Sequence, residues 1–184
     1  MKKLMFILAA VATAASVQAA SVSWTCTNVY AGNDTDKVSG VAYFLTTDML
    51  AYSDAQALAG KGAAAITTAL GSAYSYTASA GTFSVASPGI ANATLGLSDG
   101  ADYTAYLMIF DTATVTDSSK FYLTATKSLS TLSGADDVSS VKWSSQATAS
   151  KSADGWASAS VPEPTSGLLM LLGMAGLALR RKRA

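Results

Sequence analysis

The sequence predicts a mainly β fold, an antiparallel β-sandwich with one short Ala-rich helical insertion. Three observations carry that expectation. Short runs with period-2 alternation of apolar and polar residues recur between Gly/Asn/Asp/Ser turn signals, enough for about seven to nine strands. One segment only, residues 53–70, switches to the 3.6 period of a helix. Residues 20–160 then have the length of one domain, long enough to bury a core without covalent staples.

The N-terminus is set apart from this fold. Lys2 and Lys3 precede the apolar stretch Leu4–Val11, and small residues follow up to Val17-Gln18-Ala19. This is the pattern of a secretory signal peptide over residues 1–19, with Ala19 at the signal-peptidase site. The mature chain would begin at Ala20, or at Ser21 with a cut after Ala20 that puts the bulkier Gln18 at −3, and a domain over 20–145 follows.

In Ser21–Tyr30, Val22, Trp24 and Cys26 point one way and Ser21, Ser23, Thr25 and Thr27 the other, which predicts a half-buried strand. Ala31–Asp36 reads as a turn. Val38–Thr47 resumes as a strand, with Val41, Tyr43 and Leu45 sharing a face. Ser53-Asp-Ala-Gln56 has the form of a capping box that starts a helix. Ala55, Leu58, Ala59, Ile66, Ala69 and Leu70 continue its apolar stripe. Gly60 and Gly62 interrupt the stripe, so one kinked helix or two short ones are expected, covering the open end of the sandwich.

Further strands are expected near 74–78, 82–86, 103–110, 120–127 and 138–144. Turns are expected at Ser87-Pro-Gly89, Ser98-Asp-Gly100 and Ser133-Gly-Ala-Asp136. The consecutive apolar residues Leu107, Met108, Ile109 and Phe110 mark 103–110 as a central strand covered on both faces. From 144 to 160 the composition falls mostly to Ser, Ala, Thr, Lys and Gly around a single Trp156, which sets a linker at 146–161. That composition predicts a flexible linker.

Charge and missing residue types narrow the function. The chain has twelve basic and twelve acidic residues. All three arginines lie near the C-terminus, however, and residues 20–160 carry six lysines against eleven aspartates, a net charge of −5. An acidic exported domain without arginine is a poor match for a phosphate backbone, so no nucleic-acid partner is expected. The sequence has no histidine, which removes imidazole-based nucleophile pairs and imidazole metal sites. The aspartates sit mostly beside Gly, Ser or Thr, where they cap turns. A hydrolase would instead need two of them facing across a cleft. No catalytic residue, cofactor or metal is expected, and the body reads as non-enzymatic.

Weaker signals have plain alternatives. Ser139-Ser-Val-Lys142 has Ser-x-x-Lys spacing but sits in an alternating strand, not at a helix start. Asn33-Asp-Thr-Asp36 offers oxygen ligands for calcium without the Gly and bidentate Glu of an EF-hand loop. The lone Cys26 shares the apolar face of Trp24 and reads as a small buried hydrophobe. Trp24, Trp143, Trp156 and the eight tyrosines could build a sugar-stacking platform, against the alternative that they fill the core.

The last stretch is the most specific. Pro162-Glu163-Pro164 is held extended by its two prolines. An uncharged apolar run from Gly167 to Leu179 follows, and the basic cluster Arg180, Arg181, Lys182, Arg183 nearly ends the chain. The apolar run reads as a single transmembrane helix, with the basic cluster held on the cytoplasmic side by the positive-inside bias. Thirteen residues at about 1.5 Å each span roughly 20 Å, against a hydrocarbon core of about 30 Å. So short a span suits a temporary substrate better than a permanent anchor.

Together these residues resemble the PEP-CTERM sorting signal of exported proteins of Gram-negative bacteria. Pro162, Glu163 and Pro164 match the motif, Gly173 and Gly176 lie in the helix, and Arg180–Arg183 form the basic end. The resemblance covers 162–184 and leaves the body unassigned. It implies recognition by an exosortase, a membrane-embedded cysteine transpeptidase, and a cut near Pro-Glu-Pro. The protein would be held in the inner membrane during sorting and then passed to the cell surface, extracellular matrix or exopolysaccharide. The expected function is a sorted envelope or matrix protein with a non-catalytic body. A carbohydrate-binding or adhesion module is the alternative, marked by an exposed row of aromatics, and a hydrolase with paired aspartates comes last.

Overall fold

The structure is a computed structural model, and it describes residues 19–78 and 80–160. The expected signal peptide up to Gln18 and the Pro-Glu-Pro, apolar and basic stretches lie outside the described residues. Among the described residues, nine strands form two sheets. One has three strands in the order β4 (Phe83–Ala91), β1 (Ser21–Cys26), β8 (Val138–Trp143). The other has six. Its path runs β3 (Ser75–Ala78), β2 (Gly40–Thr46), β5 (Asp102–Phe110), β6 (Lys120–Leu123), β9 (Trp156–Ser158), and β7 (Lys127–Ser130) also pairs with β5.

The sheets face each other across one apolar cluster. From the smaller sheet come Val22, Trp24, Cys26, Phe83, Val141 and Trp143. From the larger come Ala42, Phe44, Ala105, Leu107, Ile109 and Leu129. The alternation expected for β1 is present from Val22 on, since Val22, Trp24 and Cys26 are buried while Ser23 and Thr25 are half-exposed; Ser21, expected to face outward, is buried as well. Trp24 lies 4.9 Å from the Phe44 ring across the sheets.

β5 is the central strand, as its apolar run predicts. Ala105, Leu107 and Ile109 point into the inter-sheet core, and Tyr106, Met108 and Phe110 into a second cluster behind it. That second cluster is closed by α1 (Tyr52–Ala57) and α2 (Ala63–Leu70), through Ala55, Ile66 and Leu70. The Ala-rich segment is thus two short helices covering the outer face of the larger sheet, not its open end. The capping box is not formed: the residue before α1 is Ala51, with no side-chain cap. The helices are held by burial on the sheet.

Several local expectations are corrected. β1 and β8 run parallel, with Trp24 opposite Val141, so the smaller sheet is not wholly antiparallel. Ser87-Pro-Gly89 lies inside β4 rather than at a turn; pairing slips there, from Val22 opposite Ile90 to Trp24 opposite Val85, and the extra residues bulge out. The single strand expected at 120–127 is two strands that continue each other along β5. The slip between them comes at Thr124, whose Oγ1 accepts the Leu107 N–H at 2.9 Å while its own N–H donates to the Leu107 carbonyl. Gly40 is required where β2 begins, because a Cβ there would collide with the Phe110 carbonyl oxygen.

The largest correction falls on the linker. Residues 147–151 form α3, 153–155 a 3-10 turn and 156–158 the edge strand β9. Ser150 and Ala159 are fully buried and Trp156 is 9% exposed. The segment docks on the 28–37 loop: the Ser150 carbonyl accepts from Gly32 N–H and from Trp156 Nε1, and the Tyr30 N–H donates to Ser150 Oγ. Lys151 lies over the Tyr30 ring, 4.7 Å from its centre. Composition predicted flexibility here, but a buried Trp and a buried Ser with long-range partners hold the chain in the fold through Ser160.

Candidate functional site

The expected site is the C-terminal sorting stretch, and the structure describes the place where the body hands over to it. β9 pairs antiparallel with β6, placing Ser158 opposite Lys120 and Trp156 opposite Tyr122. On its far side the end of β9 is gripped by the turn between α1 and α2. Gly60 N–H donates to the Ser158 carbonyl at 2.8 Å and Gly62 N–H to the Ala159 carbonyl at 2.7 Å. Both glycines have positive φ, +70° and +86°, which lets two N–H groups aim at consecutive carbonyls. The Ala159 N–H donates to the Ser119 carbonyl at 2.9 Å. Ser119 is itself fixed, accepting the Thr116 N–H on its Oγ at 2.9 Å. Asp117 Oδ1 accepts the Ala63 N–H at 2.7 Å, tying the 116–119 loop to the start of α2. The chain is therefore immobilised as far as Ala159, three residues before Pro162.

Pro162, Glu163, Pro164, Arg180, Arg181, Lys182 and Arg183 lie outside the described residues. Ala19 is described and exposed, while Ala20 beside it is buried and its carbonyl accepts the Asn92 N–H at 2.9 Å. The first residue of the expected mature chain is thus already part of the fold.

The remaining chemical signals resolve into structural duties. Ser139 is buried on β8 with its Oγ accepting the Leu132 N–H, and Lys142 lies exposed on the opposite face, so the two do not meet. In Asn33–Asp36, Asn33 Oδ1 accepts the N–H groups of Thr35 and Asp36, and Asp34 faces Lys151 at 3.7 Å. Asp111 accepts the Lys120 N–H, Asp137 the Gly134 N–H and Asp99 the Asn92 amide, which is the turn and loop role their neighbours suggest. Cys26 is fully buried, and burial pushes its thiol up to about 12.

The aromatics do not form an exposed row among the described residues. All three tryptophans are buried and no tyrosine is fully exposed. Open clefts are present among the described residues. One of about 480 Å³ lies between the end of α2 and residues 93–96, one of about 220 Å³ beside Tyr52, Gln56 and Trp156, and one of about 400 Å³ along Asp48, Asp102 and Ser130. No helix among the described residues is long and apolar enough to cross a membrane.

Residues 160–183 match the PEP-CTERM protein-sorting motif. The chain is a PEP-CTERM sorting-domain-containing protein. The PEP-CTERM motif marks an exported, membrane-sorted protein whose sorting partner is an exosortase. Its first matched residue, Ser160, directly follows the last buried residue of the body, Ala159. No curated protein and no solved structure matches the chain. The sequence reading missed the grip on this junction. The Gly60–Gly62 pair was visible only as a helix interruption, and its partners lie nearly a hundred residues away.

Proposed function

We propose that this PEP-CTERM protein is carried across the inner membrane by residues 1–19 and held there by the Gly167–Leu179 span. An exosortase would then cut it near Pro162-Glu163-Pro164 and deliver it to the cell surface or extracellular matrix. The body, read as a non-catalytic β-sandwich, would serve there as a structural component in contact with exopolysaccharide or other glycans. The observation that carries this reading is the sorting motif at 160–183, set against a folded body that ends at Ala159. The aspartates engaged in turns and the buried thiol support a body without chemistry.

The test is the terminal peptides of the protein recovered from its native host, read by mass spectrometry. The expected mature chain begins at Ala20 and lacks Gly167–Ala184. Replacing Pro162, Glu163 and Pro164 by alanine should leave export intact and hold the full-length chain in the inner membrane. Surface-exposed protein that still carries Gly167–Ala184 would show the tail to be a plain anchor.

A further inference from the structure

The grip on β9 leaves almost no free chain between body and motif. From Ala159 to Pro162 there are three residue steps, which span at most about 11 Å when fully extended. A body of this size is roughly 35–40 Å across. Any enzyme that binds Pro162-Glu163-Pro164 must therefore bring its own surface against the part of the body from which the chain leaves.

That part is built from described residues. Ser158 is bracketed by Gly60, which donates to its carbonyl, and by Lys120, its partner on β6. Lys61 follows Gly60 directly, and both lysine side chains are exposed. Two of the six lysines of a body with net charge −5 thus flank the exit of the chain. The supporting loops are stiff. Asp117 ties 116–119 to α2, and the Lys120 N–H is fixed by Asp111 Oδ1 at 2.8 Å. Both carboxylates keep their negative charge while accepting these bonds, so the face offers a partner two exposed lysine ammonium groups and not a net positive patch.

We propose that this exit face, the Gly60–Gly62 turn with Lys61 and the Thr116–Lys120 loop with Lys120, is a docking surface for the sorting enzyme. The enzyme would meet it with an acidic rim beside its active site and read body and tail together, with β9 still in place. The inference rests on the sorting reading above. It adds a contact outside the 160–183 motif, at residues that the motif does not include.

Two variants of the full chain, followed by pulse–chase of tail removal in the native host, test it. The first inserts ten Gly/Ser residues between Ala159 and Ser160, which keeps the 160–183 motif whole and separates it from the face. The second is Lys61→Glu with Lys120→Glu at native spacing, with folding checked by an unchanged urea midpoint of the body. Both should slow tail removal about tenfold, and combining them should give no further loss, because the spacer has already removed the contact. If the spacer variant is processed at the native rate or faster, the enzyme reads the tail alone and the docking surface is refuted. Unchanged processing of the double Glu variant would equally overturn it. A wild-type chain that keeps its tail would overturn the sorting reading itself, an outcome separable from the other two.

Discussion

Cys26 is inward-facing on β1, paired through its backbone to Phe83 and Trp143 and cut off from water. Burial pushes its thiol from an ordinary 9.0 up to about 12. The unfolded chain thus releases this proton at lower pH than the folded one. Between about pH 9 and 12 the unfolded state binds fewer protons, so stability falls as pH rises, by about 1.4 kcal/mol per pH unit for one such group, and is fully retained below 9. Tyr122, also pushed up to about 12 by burial and then by Cys26 and Tyr52, steepens the loss above pH 10. Urea midpoints of the body measured from pH 7 to 10.5 should be level to about pH 9 and then drop. Cys26→Ala should remove the part of the drop that begins at pH 9, and an identical drop in that variant would show that the thiol is not its source.

At the scale of elements, the two helices and β9 are held by what they bury. Neither α1 nor α2 has a side-chain cap from its own N-terminal residue, and both are shorter than an isolated helix needs to persist in water. Ile66 is fully buried under the larger sheet, so Ile66→Ala should cost about 2–5 kcal/mol and selectively weaken amide-exchange protection in α2. β9 offers the sharper contrast. Trp156 packs 5.7 Å from the Tyr122 ring and donates its indole N–H to Ser150. Trp156→Ala should destabilise the body by about 3 kcal/mol, read as a lower urea midpoint. A midpoint unchanged in that variant would mean that the 146–160 segment contributes nothing to the fold.

At the scale of the molecule, the chain crosses between the two sheets repeatedly. β1 lies in the smaller sheet, β2 and β3 in the larger, β4 in the smaller, β5 to β7 in the larger, β8 in the smaller and β9 in the larger. Neither sheet is a contiguous segment, so neither can fold without the other, which predicts one cooperative transition. Far-UV circular dichroism and tryptophan fluorescence of residues 20–160 should give the same urea midpoint, because Trp24, Trp143 and Trp156 are all buried. Two separated midpoints, with fluorescence changing first, would show the Trp156 segment opening by itself. The same threading places the two chain ends of the body, Ala20 and Ala159, in fixed positions within the fold.

What the sequence determined by itself was local and periodic. The alternation of Val22, Trp24 and Cys26 placed β1, the run Leu107–Phe110 identified a strand covered on both faces, and Gly60 and Gly62 split the Ala-rich segment into two helices. The sorting motif was legible for the same reason, since Pro162-Glu163-Pro164, the apolar run and Arg180–Arg183 are recognised in linear order. Only the tertiary structure decided the rest, wherever the partner of a backbone group lies far along the chain. β8 beside β1 in parallel joins residues more than a hundred apart, and nothing in either strand announces the direction. Ser150 and Trp156 looked like linker residues because Ser, Ala and Gly carry no periodicity. The anchors of Ser150, namely Asn28, Tyr30 and Gly32, lie some 120 residues upstream, and Trp156 is held in turn by Ser150 and Tyr122. The length of free chain before the motif is set by those contacts and by the Gly60–Gly62 grip on Ser158 and Ala159. Composition reports how flexible a segment is when nothing binds it, and here the fold binds it.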